Sequence, residues 1–285
     1  MNKPLLLVLF SIFIFLSCSD EKEGVTDTEG NFLNGKVESI SIAEYEANEE
    51  FGEIVKGERR LSFGPSYSYF NEDGTIKETR DHDEKGLFER KIIFIYNRES
   101  LLIEENCFNA KDKLLYKVAY QYDDKDQLTE RESFNSDGKL TGKQIFLRDE
   151  EGNLIKLETF NSSGEKGSVY TYTYDDMGNT LEQNIFKSDG SRDSRYTFSY
   201  NPEGKLTEVN YYNERGLEKT SFYDSNENLI EEKRFEKDGT TDAQYTYEYE
   251  LDEMKNWIKK VQYWTVGDLI VDRPFNYTER TINYY

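Results

Sequence analysis

The chain repeats itself about every 26 residues from Phe70 to its C-terminus. Numbering each unit from an aromatic zero position places the unit starts at Phe70, Tyr96, Tyr122, Arg148, Tyr174, Tyr200, Tyr223 and Leu251. Sixteen residues after the start, seven of the eight units carry glycine and the other carries aspartate. Both residue types accept the positive φ that a tight turn requires. The period therefore predicts a repeat architecture in which each unit contacts mainly its neighbours.

Each unit has the composition of two β-strands. A second turn sequence, such as Asn201-Pro202-Glu203-Gly204, begins one residue after the start, and the two turns leave about 8 to 10 residues for each strand. The second strand alternates apolar and polar residues, which predicts one buried face. In the first strand, an aliphatic residue and a glutamate share one parity, as Leu128 and Glu130 do. Either a β-bulge shifts the phase, or a row of glutamates faces the same way as the core. We expect the bulge, or a glutamate that extends from the sheet border.

Eight such units predict an all-β fold, an antiparallel meander of about sixteen strands. Because a flat sheet of that size is unusual, we expect it to form a coiled or open β-solenoid. Residues 70–250 hold seven repeats, residues 251–285 an atypical repeat that ends in an edge strand, and residues 36–69 two strands that cap the first unit. Terminal units of solenoids are usually atypical because they must stop the stacking.

The repeat resembles the YD repeat of the RHS family. The similarity rests on Tyr174-Asp175-Asp176-Met177-Gly178-Asn179, with Glu182 and Asp189-Gly190 after it, and on Tyr200 to Glu208. It covers residues 70–285. The resemblance implies a cell-surface or secreted β-shell, of a family that wraps toxins or mediates contact and is often labelled carbohydrate-binding. This chain has neither a proline-rich core motif nor a C-terminal toxin domain, so toxin encapsulation is not expected.

The N-terminus has the order of a bacterial lipoprotein signal. Residues 5–16 are apolar except for Ser11 and follow Lys3, and the run is too short to span a bilayer. We expect residues 1–17 to be removed and Cys18 to be acylated. The alternative is an ordinary secretory signal with an incidental cysteine. We expect the protein to be anchored by this lipid in the outer membrane of a Gram-negative envelope, as a monomer.

Residues 18–35 are expected to form an acidic tether. The segment from Ser19 to Glu23 also resembles the surface-export tag of some outer-membrane lipoproteins, and the alternative is simply a solvated linker. Without residues 1–17, the chain carries 35 basic and 57 acidic residues. This negative charge argues against nucleic acid and anionic lipid as ligands.

The sequence offers little material for catalysis. Its single histidine, His82, occupies a slot that holds phenylalanine or tyrosine in the other units, which predicts packing rather than chemistry. If Cys18 is acylated, Cys107 cannot form an intramolecular disulfide, and we expect it to be a packed thiol. We expect neither a metal ion nor a cofactor, and no enzymatic activity. A glycoside-active enzyme with paired carboxylates is the remaining alternative, but a repeat supplies similar environments where such a pair needs two different ones.

The row of glutamates and the rows of tyrosines together form a candidate ligand surface. Sugar rings present apolar faces to aromatic side chains and hydroxyls to carboxylates. The candidate residues are Glu104, Glu130, Glu182, Glu208, Glu231, Tyr172 and Tyr196. In the alternative interpretation, the tyrosines are core residues and the glutamates are partners of Lys91, Lys117, Lys143 and Arg195. We therefore expect a non-catalytic binding module, with a carbohydrate ligand ahead of a scaffold for surface proteins. A transmembrane barrel is not expected, because the exposed strand faces are polar.

Overall fold

The computed structural model describes residues 24–27, 32–60, 65–83, 85–266 and 269–285, with the backbone alone at residues 266 and 269–272. The predicted signal peptide, Cys18, residues 19–23 and Gly267 lie outside the described residues. In the described part, every regular element is a β-strand. In chain order the strands are β1 (Gly24–Thr26), β2 (Phe32–Asn34), β3 (Val37–Glu50), β4 (Glu53–Arg59), β5 (Ser66–Phe70), β6 (Ile76–His82), β7 (Phe88–Tyr96), β8 (Leu102–Asn109), β9 (Leu114–Tyr122), β10 (Leu128–Asn135), β11 (Leu140–Arg148), β12 (Leu154–Asn161), β13 (Lys166–Tyr174), β14 (Thr180–Phe186), β15 (Arg192–Tyr200), β16 (Leu206–Asn213), β17 (Gly216–Tyr223), β18 (Leu229–Phe235), β19 (Thr241–Leu251), β20 (Trp257–Val266) and β21 (Leu269–Tyr284).

The sheet closes into a barrel, so the prediction of an open or coiled sheet of about sixteen strands is wrong. Consecutive strands from β5 to β21 pair antiparallel, and β3 joins the two ends to give an 18-strand ring within the described part of the chain. β3 pairs with β21 along one edge and with β5 along the other, where β4 extends the same edge. The segments that were expected to cap the repeat therefore complement each other. Closure removes the unpaired backbone groups that two free edges would expose.

The two faces of the wall differ in exposure. One face carries Val118 (2% exposed), Tyr120 (9%) and Phe198 (8%), whereas their sequence neighbours on the other face are more exposed. Side chains on the concave side of a closed sheet converge and cover one another, so we assign the more buried face to the inside. A ring of eighteen strands is too wide for its own side chains to fill. Most inner residues are therefore only half-buried.

The first turn of each unit explains the tyrosine and the aspartate of the repeat. Asp123 Oδ1 accepts hydrogen bonds from the backbone N–H groups of Lys125 and Gln127, both at 2.9 Å. The hydroxyl of the preceding Tyr122 donates to the carbonyl of Leu102, at 2.8 Å. The same tyrosine bond at the same distance recurs at Tyr96, Tyr174, Tyr200 and Tyr249. The units that begin at Tyr96, Tyr122, Tyr174 and Tyr200 are thus each fastened to the one before it.

A β-bulge resolves the parity conflict of the first strand. Leu128 pairs with Tyr122, but Glu130 pairs with Gln121, so Thr129 is an extra residue. The same shift recurs in the other units, for example between Leu102 and Glu104. The bulge turns the aliphatic residue inward and the glutamate outward, which confirms the first of the two predicted alternatives.

Part of the predicted tether is ordered as a hairpin. β1 and β2 form a separate two-stranded sheet, and Val25 and Leu33 pack with Val37, Ile40 and Phe70 at one end of the barrel. Asn256 fixes the hairpin to a first turn: its Oδ1 accepts from the backbone N–H of Asn34 at 2.8 Å, and its Nδ2 donates to the Asn34 carbonyl at 2.9 Å.

A buried ion pair also fastens the hairpin. Arg280 Nη2 lies 3.6 Å from Asp27 Oδ2, and these side chains are 1% and 2% exposed. The Arg280 guanidinium also lies 3.5 Å from the ring centroid of Trp257. The hairpin therefore bridges both sides of the closure seam.

We predict that Arg280→Met destabilises the protein by about 3 to 5 kcal/mol, because it leaves the buried Asp27 carboxylate without this partner. The double variant Asp27→Leu/Arg280→Met should lose less than the sum of the two single variants. Lys56→Met is the matched control, because its ion pair with Glu279 at 2.9 Å is 49% and 38% exposed and should contribute at most about 1 kcal/mol. Denaturant unfolding of the unaltered chain and of each variant measures these losses of stability. Equal losses for Arg280→Met and Lys56→Met would show that the hairpin is not clamped by this pair.

Candidate functional site

The predicted glutamate row lies on the outer face, where basic side chains occupy it. Glu104 Oε2 lies 3.0 Å from Lys117 Nζ, and Glu182 Oε2 lies 3.5 Å from Arg195 Nη1. Although burial opposes the effect, hydrogen bonds from Asn106 and Lys117 lower the pKa of Glu104. Glu130, Glu208 and Glu231 are likewise partnered, by Lys143, Asn210 and Lys233 respectively. For Lys117, Lys143 and Arg195, these contacts match the alternative in which the glutamates are partners of neighbouring cations, whereas Lys91 Nζ lies 2.7 Å from Asp112 Oδ1 instead.

Aromatic side chains extend this outer network. Lys117 Nζ lies 5.8 Å from the ring centroid of Phe134, and the Arg195 guanidinium lies 4.3 Å from that of Tyr212. Each cation therefore contacts a glutamate of its own unit and an aromatic ring of the next one. The outer face at mid-height is a lattice of ion pairs and cation–π contacts.

The predicted tyrosines Tyr172 and Tyr196 lie on the inner face, so the wall separates them from the glutamates. Tyr172 pairs with Gln183, whose amide Nε2 donates to the Tyr172 hydroxyl at 3.3 Å. Tyr196 pairs with Tyr211, and their ring centroids are 4.8 Å apart. Tyr170 completes this patch and is 6% exposed. We call Tyr170, Tyr172, Gln183, Tyr196 and Tyr211 the inner tyrosine patch.

Burial determines the ionisation of the inner tyrosines. Loss of hydration raises the pKa of Tyr172 to about 12, and it raises the pKa of Tyr196 and Tyr211 as well. All three therefore remain neutral at physiological pH and present a hydroxyl that both donates and accepts. Rings with such hydroxyls, next to an amide, suit a ligand that has apolar faces and many hydroxyl groups.

The one short unit has a cavity at the rim of the barrel. The step from Tyr200 to Tyr223 is three residues shorter than the period, and the turn between β16 and β17 is correspondingly tight. A cavity of about 410 Å³ lies there, lined by Arg192, Asp193, Ser194, Arg195, Tyr212, Asn213, Glu214 and Gly216. Arg195 and Tyr212 of this lining belong to the outer network, and Ser194, which faces inward, is buried. The cavity is therefore not part of the inner tyrosine patch.

Residues that were considered for catalysis are packed. The His82 ring contacts Tyr67 and Phe88, at centroid distances of 5.1 and 5.8 Å. Cys107 is fully buried, and burial raises the pKa of its thiol. In the ranges that the structure describes, His, Cys, Asp and Glu side chains form no group of three suited to a metal ion. The described residues also contain no helix that is long and apolar enough to cross a membrane.

The inner wall carries a second aromatic cluster that the sequence pattern did not reveal. Tyr245 and Trp264 are paired across β19 and β20, and Phe275 lies beside both on β21. In the last unit, the aromatic position of the first strand falls on Tyr263. The structure places this side chain on the outer face. Trp264 faces inward because the alternation of β20 follows its pairing with Tyr245. The sequence feature that could have indicated this cluster is a tryptophan within an irregular final unit.

Comparisons with known proteins give only distant similarities. The chain is similar to a porin-like protein from Bacteroides uniformis ATCC 8492, with 11% identity, a TM-score of 0.45, and coverage of 87% of this chain and 96% of that one. A porin-like protein from Bacteroides vulgatus ATCC 8482 is similar at 10% identity, with a TM-score of 0.33 and coverage of 88% and 99%.

A third similarity is to the Photorhabdus luminescens Tc holotoxin pore, with 12% identity, a TM-score of 0.29, and coverage of 89% of this chain but 15% of that one. No family model matches the sequence, and no curated protein matches it. At these TM-scores the structural similarities support no conclusion about function. The likeness to YD repeats therefore remains an interpretation of the sequence.

We predict that the protein loses stability as the pH rises from about 10 toward 12. Because burial raises the pKa of Tyr172 and Tyr200 to about 12 from the ordinary 10.0, their neutral forms stabilise the fold fully below the unfolded pKa. That stabilisation disappears as the pH rises through the folded pKa. Phenolate absorbance and far-ultraviolet circular dichroism, recorded along one alkaline titration, measure both events. Complete ionisation of the tyrosines near pH 10 with the fold intact would disprove the burial of the inner face.

Proposed function

We propose that this protein is a non-catalytic, lipid-anchored envelope protein that binds carbohydrate along the inner wall of its barrel. The observation that carries the proposal is the inner tyrosine patch. The rings of Tyr196 and Tyr211 are in contact, and Tyr172 lies beyond Gln183, whose amide hydrogen-bonds to it, on a wall that a wide barrel does not fill. Stacking on such rings and hydrogen bonding to their hydroxyls are the interactions that a sugar chain offers.

The outer face supports an envelope protein that does not span the membrane with its wall. A membrane-spanning barrel needs an outward apolar band about 25 Å tall. Here charged pairs such as Glu104 with Lys117 and Glu182 with Arg195 lie among exposed aliphatic residues such as Ile95 and Leu147, so the outward apolar surface is interrupted. Attachment is therefore assigned to Cys18, which precedes the hairpin by six residues. The lipid and its cleavage site remain predictions from the sequence.

The carboxyl groups support binding rather than glycoside hydrolysis. A general acid of a glycosidase needs a raised pKa. In the described part of the chain, each carboxyl group with a resolved shift, including Glu104, Glu158 and Asp175, has a lowered pKa. Hydrogen bonds and nearby cations hold these groups in the ionised form. The repeat also gives similar surroundings to many of them.

Removal of the inner rings should weaken binding. We expect Tyr172→Ala/Tyr196→Ala to weaken retention of a bound glycan by at least about tenfold, because two stacking contacts are lost. The assay is a glycan array, followed by calorimetry with the best-retained oligosaccharide, on the full chain in detergent. Glu182→Gln is the control: it alters one proposed candidate on the outer face and should bind normally.

The opposite result, normal binding by the tyrosine variant and loss in Glu182→Gln, would move the ligand to the outer face. If no glycan is retained by the unaltered chain and cross-linking recovers a protein instead, the carbohydrate proposal fails.

The anchor is tested separately. Cys18→Ala should release the protein from the membrane fraction and abolish incorporation of a labelled fatty acid, because the acylated thiol is lost. Fractionation of cells that express either form measures the first effect, and metabolic labelling measures the second. Membrane association of Cys18→Ala equal to that of the unaltered chain, with no acyl label in either, would refute the lipoprotein assignment.

A further inference from the structure

Three aromatic rings form an exposed platform near one rim of the inner wall. Phe275 lies 6.4 Å from both Tyr245 and Trp264, measured between ring centroids. Trp264 is 38% exposed and Phe275 is 40% exposed. Aromatic residues of the regular units on the inner face, such as Tyr120 and Tyr170, are below 10% exposed. Other regular inner rings, such as Tyr172 and Tyr196, are half-buried. The platform thus presents more of its ring faces than the regular wall does.

An irregularity of β21 produces this exposure. Asn276 pairs with Gln262 and Pro274 pairs with Tyr263, so Phe275 is the extra residue of a bulge. It has no counterpart in the repeat, and its side chain is added to the aromatic row of β19 and β20. A bulge at the rim of a sheet re-aims a side chain, and such devices are often found at functional sites.

Polar groups line the edge of the platform, and some of them lack partners among the described residues. Asn276 Oδ1 is buried there without a hydrogen bond, and so is Arg60 Nε. The Arg60 guanidinium lies 4.2 Å from the ring centroid of Phe275, and its Nη2 donates to the Phe275 carbonyl. Buried polar groups are normally hydrogen-bonded. An acceptor and a donor beside exposed rings match a ligand that has an apolar face with hydroxyl groups around its edge.

We infer that this platform binds the terminal pyranose ring of a glycan chain, with the C–H face of the sugar on Trp264 and Phe275. The side chains of Asn276 and Arg60 turn outward on binding, which brings Asn276 Oδ1 and Arg60 Nε, both covered in the free protein, to the hydroxyl groups of the sugar. The inference rests on the proposed carbohydrate function and deepens it by assigning a second, end-binding subsite. An acidic sugar is not required. Arg60 and Arg234 face the platform, but Glu44, Glu46 and Glu232 lie on neighbouring inner positions.

The platform lies away from the end of the barrel that holds the N-terminal hairpin. Arg280, which pairs with Asp27 of the hairpin, follows Phe275 by five residues on the same strand, roughly 17 Å along it. A glycan would therefore meet the platform before it reached the hairpin.

The test compares aromatic and non-aromatic variants of the platform. The probes are cello-, chito-, manno- and galacturono-hexasaccharides, titrated into the full chain in detergent. We expect Trp264→Ala and Phe275→Ala each to weaken binding of the best probe by about tenfold or more, and Trp264→Phe by less than about threefold, because a stacking face remains. Asn276→Ala should weaken it by a smaller factor. Phe51→Ala is the control, because Phe51 is a fully exposed aromatic residue outside the platform.

Fluorescence gives a second readout, since Trp264 and Trp257 are the two tryptophans of the chain. Ligand should shield Trp264 from a soluble quencher, and this protection should disappear in Trp264→Phe.

If Tyr172→Ala/Tyr196→Ala loses binding while the platform variants bind normally with unchanged thermal unfolding, the end-binding subsite is wrong and the carbohydrate function stands. If the unaltered chain binds none of the four probes or any array glycan, both fail. A platform variant that unfolds is replaced by Trp264→Phe with Asn276→Ala, and normal affinity in that double variant overturns the inference.

Discussion

The pairing of β3 with β21 is the constraint on which the rest of the structure depends. It joins residues more than 200 positions apart over nine registered pairs, and the backbone groups it satisfies would otherwise form two free edges. Closing so long a loop is entropically costly. The N-terminal hairpin offsets this cost locally: Arg280 on β21 contacts Asp27, and Asn256 hydrogen-bonds to both Asn34 and Tyr284 of β21. The Tyr285 hydroxyl, which donates to the Phe70 carbonyl at 2.7 Å, adds one more bond across the seam.

A wide ring must be stabilised differently from a filled core. Few apolar side chains of the described residues are fully buried, and the buried ones that pack together form two small, separate clusters. Cross-strand pairs contribute roughly 0.2 to 1 kcal/mol each, and here they recur in nearly every unit. The tyrosine hydroxyl bonds inside and the ion pairs outside serve this purpose on opposite faces. The repeat thus distributes stability along the wall and leaves the lumen side open to a ligand.

Much of the local structure could be predicted from the sequence, because the relevant interactions are local. The turns were visible as glycine and aspartate, and Asp112 and Gly164 both have positive φ. Leu128 and Glu130 are two positions apart and would share one face of a regular strand, although one side chain is apolar and the other is charged. This conflict indicated the bulge. Closure was not predictable in the same way: no repeat signal links β3 to β21, and strand propensity does not distinguish an edge strand from a strand that will be paired across the seam. A solenoid and a barrel therefore share the same local sequence pattern.

The candidate site shows how one extra residue changes a functional interpretation. Without the bulge, glutamates and aliphatic residues would share a face and the predicted surface would combine acids with tyrosines. With it, Glu182 lies outside beside Arg195 while Tyr172 lies inside beside Gln183. The phase shift also misassigns the last unit, where the repeat pattern points to Tyr263 and the inward ring belongs to Trp264. Bulges at Thr129 and Phe275 have the same geometric cause and different effects: the first places acids on the outer face, and the second adds a ring to an inner one.

The position of the hairpin gives the barrel two unlike ends. Gly24 is six positions after Cys18, and a fully extended chain of six residues reaches at most about 21 Å. If Cys18 carries the lipid, the hairpin end must face the membrane, since the hairpin is fixed to the barrel by Asn256 and Arg280. The Trp264 and Phe275 platform, farther along β21, then faces away from the bilayer, where a polymer in the surrounding medium can reach it. The same contacts that close the ring would therefore also orient its binding wall.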